Sequence, residues 1–391
     1  MRQLSFLPFL LLIVALAGVG QITNTIYVPA MPAMARYFVT TPSHIQTVMA
    51  VYLLSYGISQ FIYGPLSDRL GRRPVVLIGL SIYLTATVIA IFSTNFTEIV
   101  VGSFLQGCGT GVGGMMARTA MRDRYTGKLL QKANSYVSMA LIFSPLIAPL
   151  LGGFLYLIAG WRLIFIFLLL LGAGVLAAQY FFCQETNVFK RRTSIRRVFY
   201  NYSLALSHRQ FICNTIILVA TFSGFAVFES SAGLILHQAL HYTAGMISLL
   251  FIVPMPAYIA GSFVAAKFSN RDSFNGFMLV GVACLTIGSL SMLVPALFGY
   301  VSTTAILLPI AIYMFAAGML FPTSTTQAIM PFPKMAGTAG AILGGAQNMG
   351  AGIFALISAT LPQTTQLPLA AILCAVTLIV IGAYLSLNRN N

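Results

Sequence analysis

The sequence predicts an all-α membrane protein, with twelve transmembrane helices in two pseudo-symmetric six-helix bundles and both termini cytoplasmic. Three observations carry that prediction. First, 58% of the residues are hydrophobic and 7% charged, with a mean hydropathy of +0.90. So few charges cannot cover a water-exposed surface of this size. Second, twelve apolar windows of about 20 residues, each long enough to cross a bilayer, alternate with short polar segments. Third, the cations are sorted. With the N-terminus inside and one crossing per window, all 21 Lys and Arg except Arg36 and Arg162 fall in inner segments. That is the asymmetry that orients membrane proteins, and one missed crossing would invert every later loop.

In order, the windows cover residues 4–28, 43–66, 74–94, 97–119, 132–156 and 161–183, then 211–235, 244–266, 274–297, 302–325, 333–360 and 366–387. Each is expected to be a helix, because hydrocarbon leaves backbone N–H and C=O groups no partners but each other. No ten-residue alternation suggests a barrel. The first window carries Gln21, Asn24 and Thr25 near its end and lacks a small-residue cleavage pattern. It reads as a retained helix rather than a leader.

The longest polar stretch, Gln184 to Arg209, divides the chain into an N-terminal bundle (1–183), a cytoplasmic linker loop (184–209) and a C-terminal bundle (210–391). Its Lys/Arg cluster suits an anionic inner leaflet, so the net charge of +15 reads as topology and not as nucleic-acid binding. A worn repeat supports the division. Gly64, Asp68, Arg69 and Arg72 follow the second window, and Gly261, Lys267 and Arg271 follow the eighth.

Several chemistries are not indicated. The five cysteines stand alone, and His44, His208, His237 and His241 have no metal-ligand company, so no metal site is expected. There is no phosphate-cradling G-x-x-x-x-G-K-[ST], no G-x-S-x-G and no H-E-x-x-H. The chain is expected to be no enzyme, to need no cofactor, to bind neither nucleotide nor nucleic acid, and to act as a monomer in the lipid bilayer.

Candidate functional residues fall into three groups. The polar turn from Gly64 to Pro74 holds Asp68 among Arg69, Arg72 and Arg73, with Gly64 and Gly71 available for a tight chain reversal. The arginines equally serve topology; an acid there does not. Glu229 is the one acidic residue well inside a window. A charged carboxyl in hydrocarbon is costly unless it faces water, a partner or a proton route. Glu229 is therefore a candidate proton carrier that also attracts a cation; the plainer reading places it near the outer interface. Polar and aromatic residues make the third group. Tyr52, Tyr56, Ser59 and Tyr63 recur at helical spacing with Gln60 beside them, and Phe222, Phe225 and Glu229 share a face. With Gln21, Asn24 and Thr25 they would wall an apolar cavity with a few polar handles. Helix–helix packing is the competing account for any single aromatic. The same account covers the Gly107/Gly111, Gly109/Gly113 and Gly340/Gly344 steps. Gln347 and Asn348 either face the cavity or bridge helices.

The run Gly64-Pro65-Leu66-Ser67-Asp68-Arg69-Leu70-Gly71-Arg72-Arg73 resembles the loop between helices 2 and 3 of major facilitator superfamily transporters. Tyr27–Pro32 resembles the proline pair that ends helix 1 in that family. Ala148-Pro149-Leu150-Leu151-Gly152-Gly153 resembles the G-P-x-x-G-G segment of its antiporters, with alanine in place of the first glycine. Gln106-Gly107-Cys108-Gly109 matches the end of a further motif, but Ser103 stands where that motif has arginine, so a buried arginine relay in the fourth helix is not implied. Nearly the whole chain is similar to the twelve-helix drug:proton antiporters. The resemblance implies a gate latch at Asp68, parallel repeats related by an axis along the membrane normal, and efflux of amphipathic, often cationic compounds in exchange for protons. Export of a defined metabolite such as a sugar, and a non-transporting membrane receptor, are the alternatives.

Overall fold

The computed structural model describes residues 5–186, 195–268, 274–332 and 335–388, and every regular element among them is helical. Of the predicted inner cations, Arg2, Lys190, Arg191, Arg192, Arg271, Lys334 and Arg389 lie outside the described residues, as do Asp272, Pro333 and the middle of the predicted linker.

The first crossing, Phe6–Tyr37, comprises α1 (Phe6–Thr25), a 3₁₀ turn (Val28–Ala30) and α2 (Met31–Tyr37). Next come α3 (Pro42–Leu70), α4 (Arg72–Phe92), α5 (Phe96–Arg124), α6 (Gly127–Ala159) and α7 (Trp161–Phe182). After α8 (Ile195–Leu206) follow α9 (Arg209–Leu240) and a broken crossing of α10 (Ala244–Leu250) and α11 (Met255–Phe268). The last four are α12 (Phe274–Leu297), α13 (Thr303–Ile329), α14 (Ala336–Ala359) and α15 (Leu367–Asn388). Among the described residues, eleven helical segments are long and apolar enough to cross a membrane, and α6 adds the shorter apolar stretch Phe143–Ala159. That set is compatible with twelve crossings.

Local sequence sets the ends. On the side opposite the basic turn, α3, α5 and α13 start with hydroxyl or amide caps. Thr41 Oγ1 accepts from the His44 N–H at 3.1 Å, Asn95 Oδ1 from Glu98 at 3.0 Å and Ser302 Oγ from Ala305 at 3.1 Å, each satisfying an N–H that the helix itself leaves open. Pro29 and Pro32 stand at the starts of the 3₁₀ turn and α2, where a missing N–H does no harm. They therefore redirect the first crossing, which runs on helically to Tyr37, instead of ending it.

The basic turn is tighter than the sequence suggests. α3 runs through Leu70 and α4 begins at Arg72, so Gly71 alone makes the reversal, at φ +105° and ψ 157°. That region is open essentially to glycine only. Gly64, expected to help make the turn, is helical instead, and nothing lies within 4 Å of where its Cβ would be.

Glycine elsewhere brings helices together. On α5, a Cβ on Gly109 would lie 2.5 Å from the Tyr83 nitrogen and 2.6 Å from the Gly79 carbonyl of α4, while Gly107 and Gly111 seat on Ser55 and Ser59 of α3. Those serines turn their hydroxyls back to the Tyr52 and Tyr56 carbonyls at 3.0 Å, so neither hydroxyl meets its glycine unpaired. The same device joins the two sides of the molecule. A Cβ on Gly57 of α3 would lie 2.5 Å from the Met349 nitrogen and 2.6 Å from the Gly345 carbonyl of α14. One on Gly352 of α14 would lie 2.7 Å from the Leu54 nitrogen of α3. In hydrocarbon, where Leu gains nothing over lipid, such close backbone approach is a main source of helix association.

The end opposite the basic turn is closed. Tyr27, Val28, Met31 and Met34 are buried in one apolar cluster with Leu234, Ile235 and Ile247 from the second half of the chain. The two cations predicted to lie outside are both engaged there. The Arg162 Nη2 donates to Tyr37 Oη at 2.6 Å, and its guanidinium lies 4.4 Å from the centres of the Tyr37 and Trp161 rings. Arg36 Nη1 stands 3.5 Å from His237 Nε2 on α9.

Gly57→Ala is expected to lower the thermal denaturation midpoint of the detergent-solubilised protein, at a cost of about 1–3 kcal/mol for overpacking. Gly64→Ala, two turns away on the same helix, should be neutral or stabilising by up to about 1 kcal/mol through helix propensity. Equal midpoints for the two variants would contradict the packing described.

Candidate functional site

A cavity of about 720 Å³ lies between the two halves of the chain. Its first wall is Gln21 of α1, Tyr56 and Gln60 of α3, Met115, Thr119 and Arg122 of α5, and Val137, Leu141 and Pro145 of α6. Facing it are Thr221, Phe222 and Phe225 of α9, Tyr258 and Ser262 of α11, Phe277 of α12, Met314, Phe321 and Pro322 of α13, and Gln347 and Asn348 of α14. Arg122, Ala266 and Ile329 sit at the last turns of their helices, so the mouth opens at the end that carries the basic turn. Such a chamber is sized for a drug-like molecule. Its surface is mostly aromatic and aliphatic, with amides and hydroxyls as polar handles; among the described residues Arg122, at the mouth, is its one charged side chain.

The predicted cavity residues divide. Gln21, Tyr56, Gln60, Phe222 and Phe225 line it, and so do Gln347 and Asn348, whose role the sequence left open. Tyr52, Asn24 and Thr25 do not. The Tyr52 hydroxyl donates to the Gly20 carbonyl at 2.6 Å and lies 2.8 Å from Thr110 Oγ1, tying α3 to α1 and α5. Thr25 donates to the Pro145 carbonyl at 3.1 Å. Pro149 has no N–H to offer that carbonyl, so Thr25 satisfies what the proline leaves open. Asn24 is buried, 4% exposed. Tyr258, Phe277, Met314 and Phe321 escaped the sequence reading, because on a membrane helix the lipid face and the cavity face are both apolar and hydrophobic periodicity does not separate them.

Glu229 is 3% exposed and stands outside the main chamber's lining. It borders a separate space of about 10 Å³ with Pro149, Phe228, Phe251 and Pro254, and with Pro145, Phe225 and Met314, which also face the chamber. The acid and the large cavity are thus neighbours across a thin wall.

The basic turn is an ordered electrostatic knot. Arg72 Nε donates to Asp123 Oδ2 at 2.9 Å, and its Nη1 pairs with Asp68 Oδ1 at 2.7 Å and donates to Ser67 Oγ at 2.5 Å. The Glu185 carboxylate, just past α7, accepts from the backbone N–H groups of Arg72 and Arg73 at 2.8 and 3.2 Å. An anion at a helix N-terminus is favoured by the open N–H groups and the dipole. A Cβ on Gly71 would collide with that carboxylate, a second reason for glycine there. Arg73 Nη2 donates to the Tyr180 carbonyl at 2.6 Å, whereas Arg69 is exposed. The described partners of Arg72 all lie on the first half of the chain. Contact toward the second half comes from α8, a helix within the predicted linker loop. Its Tyr202 hydroxyl donates to the Phe61 carbonyl at 3.4 Å, and burial together with the nearby Asp68 charge pushes its pKa up. That carbonyl is available because Pro65 has no N–H.

In the Pro149–Gly153 segment the glycines have separate contacts. Gly152 packs on the Ile26 carbonyl beyond α1, and Gly153 on Ser248 of α10, across the two halves.

Comparison with known proteins agrees with this arrangement. The sequence profile of the Major Facilitator Superfamily matches residues 11–356. The chain is 41% identical to multidrug resistance protein D of Escherichia coli (strain K12), over 99% of this chain and 97% of that one. It is 29% identical to a chloramphenicol resistance protein of Pseudomonas aeruginosa, over 91% and 85% of the two chains. In fold it is similar to the human organic anion transporter MFSD10 (TETRAN), with a TM-score of 0.74 at 15% identity, covering 99% of this chain and all of that one.

The two tyrosines make a differential test. Tyr52→Phe should lower the thermal midpoint, at a cost of about 1 kcal/mol for the buried hydrogen bonds, while leaving the affinity for a lipophilic fluorescent probe unchanged. Gln60→Ala should weaken probe binding with little change in midpoint. Titrations of both variants in detergent separate the two roles.

Proposed function

The chain belongs to the major facilitator superfamily, and we propose that it exports drugs in exchange for protons, as a multi-pass protein of the bacterial inner membrane with both termini cytoplasmic. The observation that carries this reading is the chamber itself, which is aromatic-walled, open at the cationic end and closed at the other. A compound that partitions into the bilayer loses little on entering such a space, and uncharged amides and hydroxyls orient it without demanding one shape. The substrates are accordingly small amphipathic molecules, often cationic.

Transport follows alternating access, one bundle (1–183) rocking against the other (210–391) around the central chamber. The α3–α14 seam is the natural pivot, since glycine brings the two backbones together there, and Gly153 on Ser248 is a contact that must part when the outer end opens. Asp68, Arg72, Asp123 and Glu185 hold α3, α4 and α5 as one piece at the inner end, so the rocking unit moves rigidly. Glu229 carries the proton. An acid held in the membrane interior is stable neutral and costly charged, so its protonation is free energy that conformational change can use.

In proteoliposomes with an imposed pH gradient, Glu229→Gln is expected to abolish gradient-driven export while probe binding in detergent persists. Export by that variant at the normal rate would remove the proton-carrying role from Glu229.

A further inference from the structure

Resting on the reading of Glu229 as the proton carrier, we propose that Phe225 is a valve between two compartments. One holds the proton and the other the substrate, and the substrate never touches the carboxyl. Phe225 lies one turn before Glu229 on α9, and its ring borders both the 720 Å³ chamber and the 10 Å³ space at the acid. The partition is completed by Met314 of α13 and Pro145 of α6. The inner compartment has room for about one water molecule, so no drug fits beside the acid.

The small space at Glu229 is walled by apolar residues. From α6 it is lined by Pro145 and Pro149; from α9 itself, by Phe225 and Phe228; from the break between α10 and α11, by Phe251 and Pro254; from α13, by Met314. None of these is titratable or charged. The acid's protonation is therefore governed by whether water reaches it, and the shared wall decides that. Direct competition between drug and proton would need the carboxylate to face the drug. Here occupancy of the chamber acts on the acid through the wall. With the chamber empty, Phe225 stands across the wall and keeps water out; a molecule pressed against Phe222 and Phe225, whose rings meet edge to face at 6.1 Å, turns the ring aside and admits water. The proton then moves between Glu229 and that water.

Phe225 is a positioning residue on this account, so the test needs a readout beyond transport rate. Full-length protein is reconstituted into liposomes enclosing a pH-sensitive dye, a gradient is imposed without drug, and proton entry is followed. Wild type should hold the gradient. Phe225→Ala should leak several-fold faster, Phe225→Leu should restore the seal, and Phe225→Ala/Glu229→Gln should be tight again because the leak runs through the acid. Met314→Ala breaches the same wall from another helix and should leak likewise, which keeps the test alive if Phe225→Ala does not fold. Tight liposomes for both alanine variants, or a leak that survives Glu229→Gln, overturn the valve. Glu229→Gln alone separates the two readings: if it still exports normally the proton carrier is wrong, and if it is dead while the alanine variants stay tight only the valve is wrong.

Discussion

A backbone that cannot leave its polar groups unpaired in hydrocarbon is the constraint from which the remaining features follow. It makes every described crossing helical, and it makes each interruption a matter of finding a substitute partner. Pro149 leaves the Pro145 carbonyl open, and Thr25 takes it from α1; Pro65 leaves Phe61 open, and Tyr202 takes it from α8. Proline and glycine do complementary work. Proline exposes a carbonyl inside the protein and thereby ties another segment to it. Glycine removes a side chain so that backbones meet, as at Gly57 and Gly352. Both act through the main chain, the one part of a membrane helix that lipid cannot imitate.

Charge is spent at the ends. Asp68 and Asp123 engage the Arg72 side chain, Glu185 engages its backbone, and Glu98 accepts from the Thr94 N–H at 2.7 Å at the opposite end. Of the described acids, only Glu229 lies in the interior. The result is a molecule whose basic end is stapled by ion pairs within one half, and whose other end is sealed by apolar packing across both halves. Apolar seams separate without leaving buried charges unpaired, whereas breaking a partly buried ion pair leaves one behind. The bundle is accordingly knit by charge, and the closing seam mainly by Met, Val, Ile and glycine, with the exposed Arg36–His237 contact at its edge.

The fold was largely legible because hydropathy and the sorting of Lys and Arg report directly on the lipid constraint. The site was legible only in part, and the misses share a cause. Tyr52 and Tyr56 stand four residues apart, about 40° around the helix. Their rings lie nearly parallel at 5.9 Å, yet Tyr52 points into the α1–α5 crevice and Tyr56 reaches the chamber. A difference that small is set by where neighbouring helices pass, which a single sequence does not encode. Gly64 was assigned to the turn by its neighbours in the motif, but a helix tolerates an open glycine and gives no sign of it. The helix α8 was hidden because a short basic stretch outside the apolar windows reads as loop; its Tyr202 and Ala205 find an apolar seat only against the folded α9, α13 and α14.

The placement of Glu229 bears on how one protein handles many compounds. An apolar pocket discriminates weakly, about 1–3 kcal/mol per methylene, whereas a buried charge or a demanding hydrogen bond discriminates strongly. A carboxylate in the chamber wall would favour cations and penalise whatever leaves it unpaired. Behind Phe225, Met314 and Pro145, the acid is removed from that choice and the chamber keeps uncharged polar contacts. The proton then acts on the position of a wall instead of on the identity of the ligand. Coupling by that route needs only that the drug fill space, which every amphipathic molecule of suitable size does.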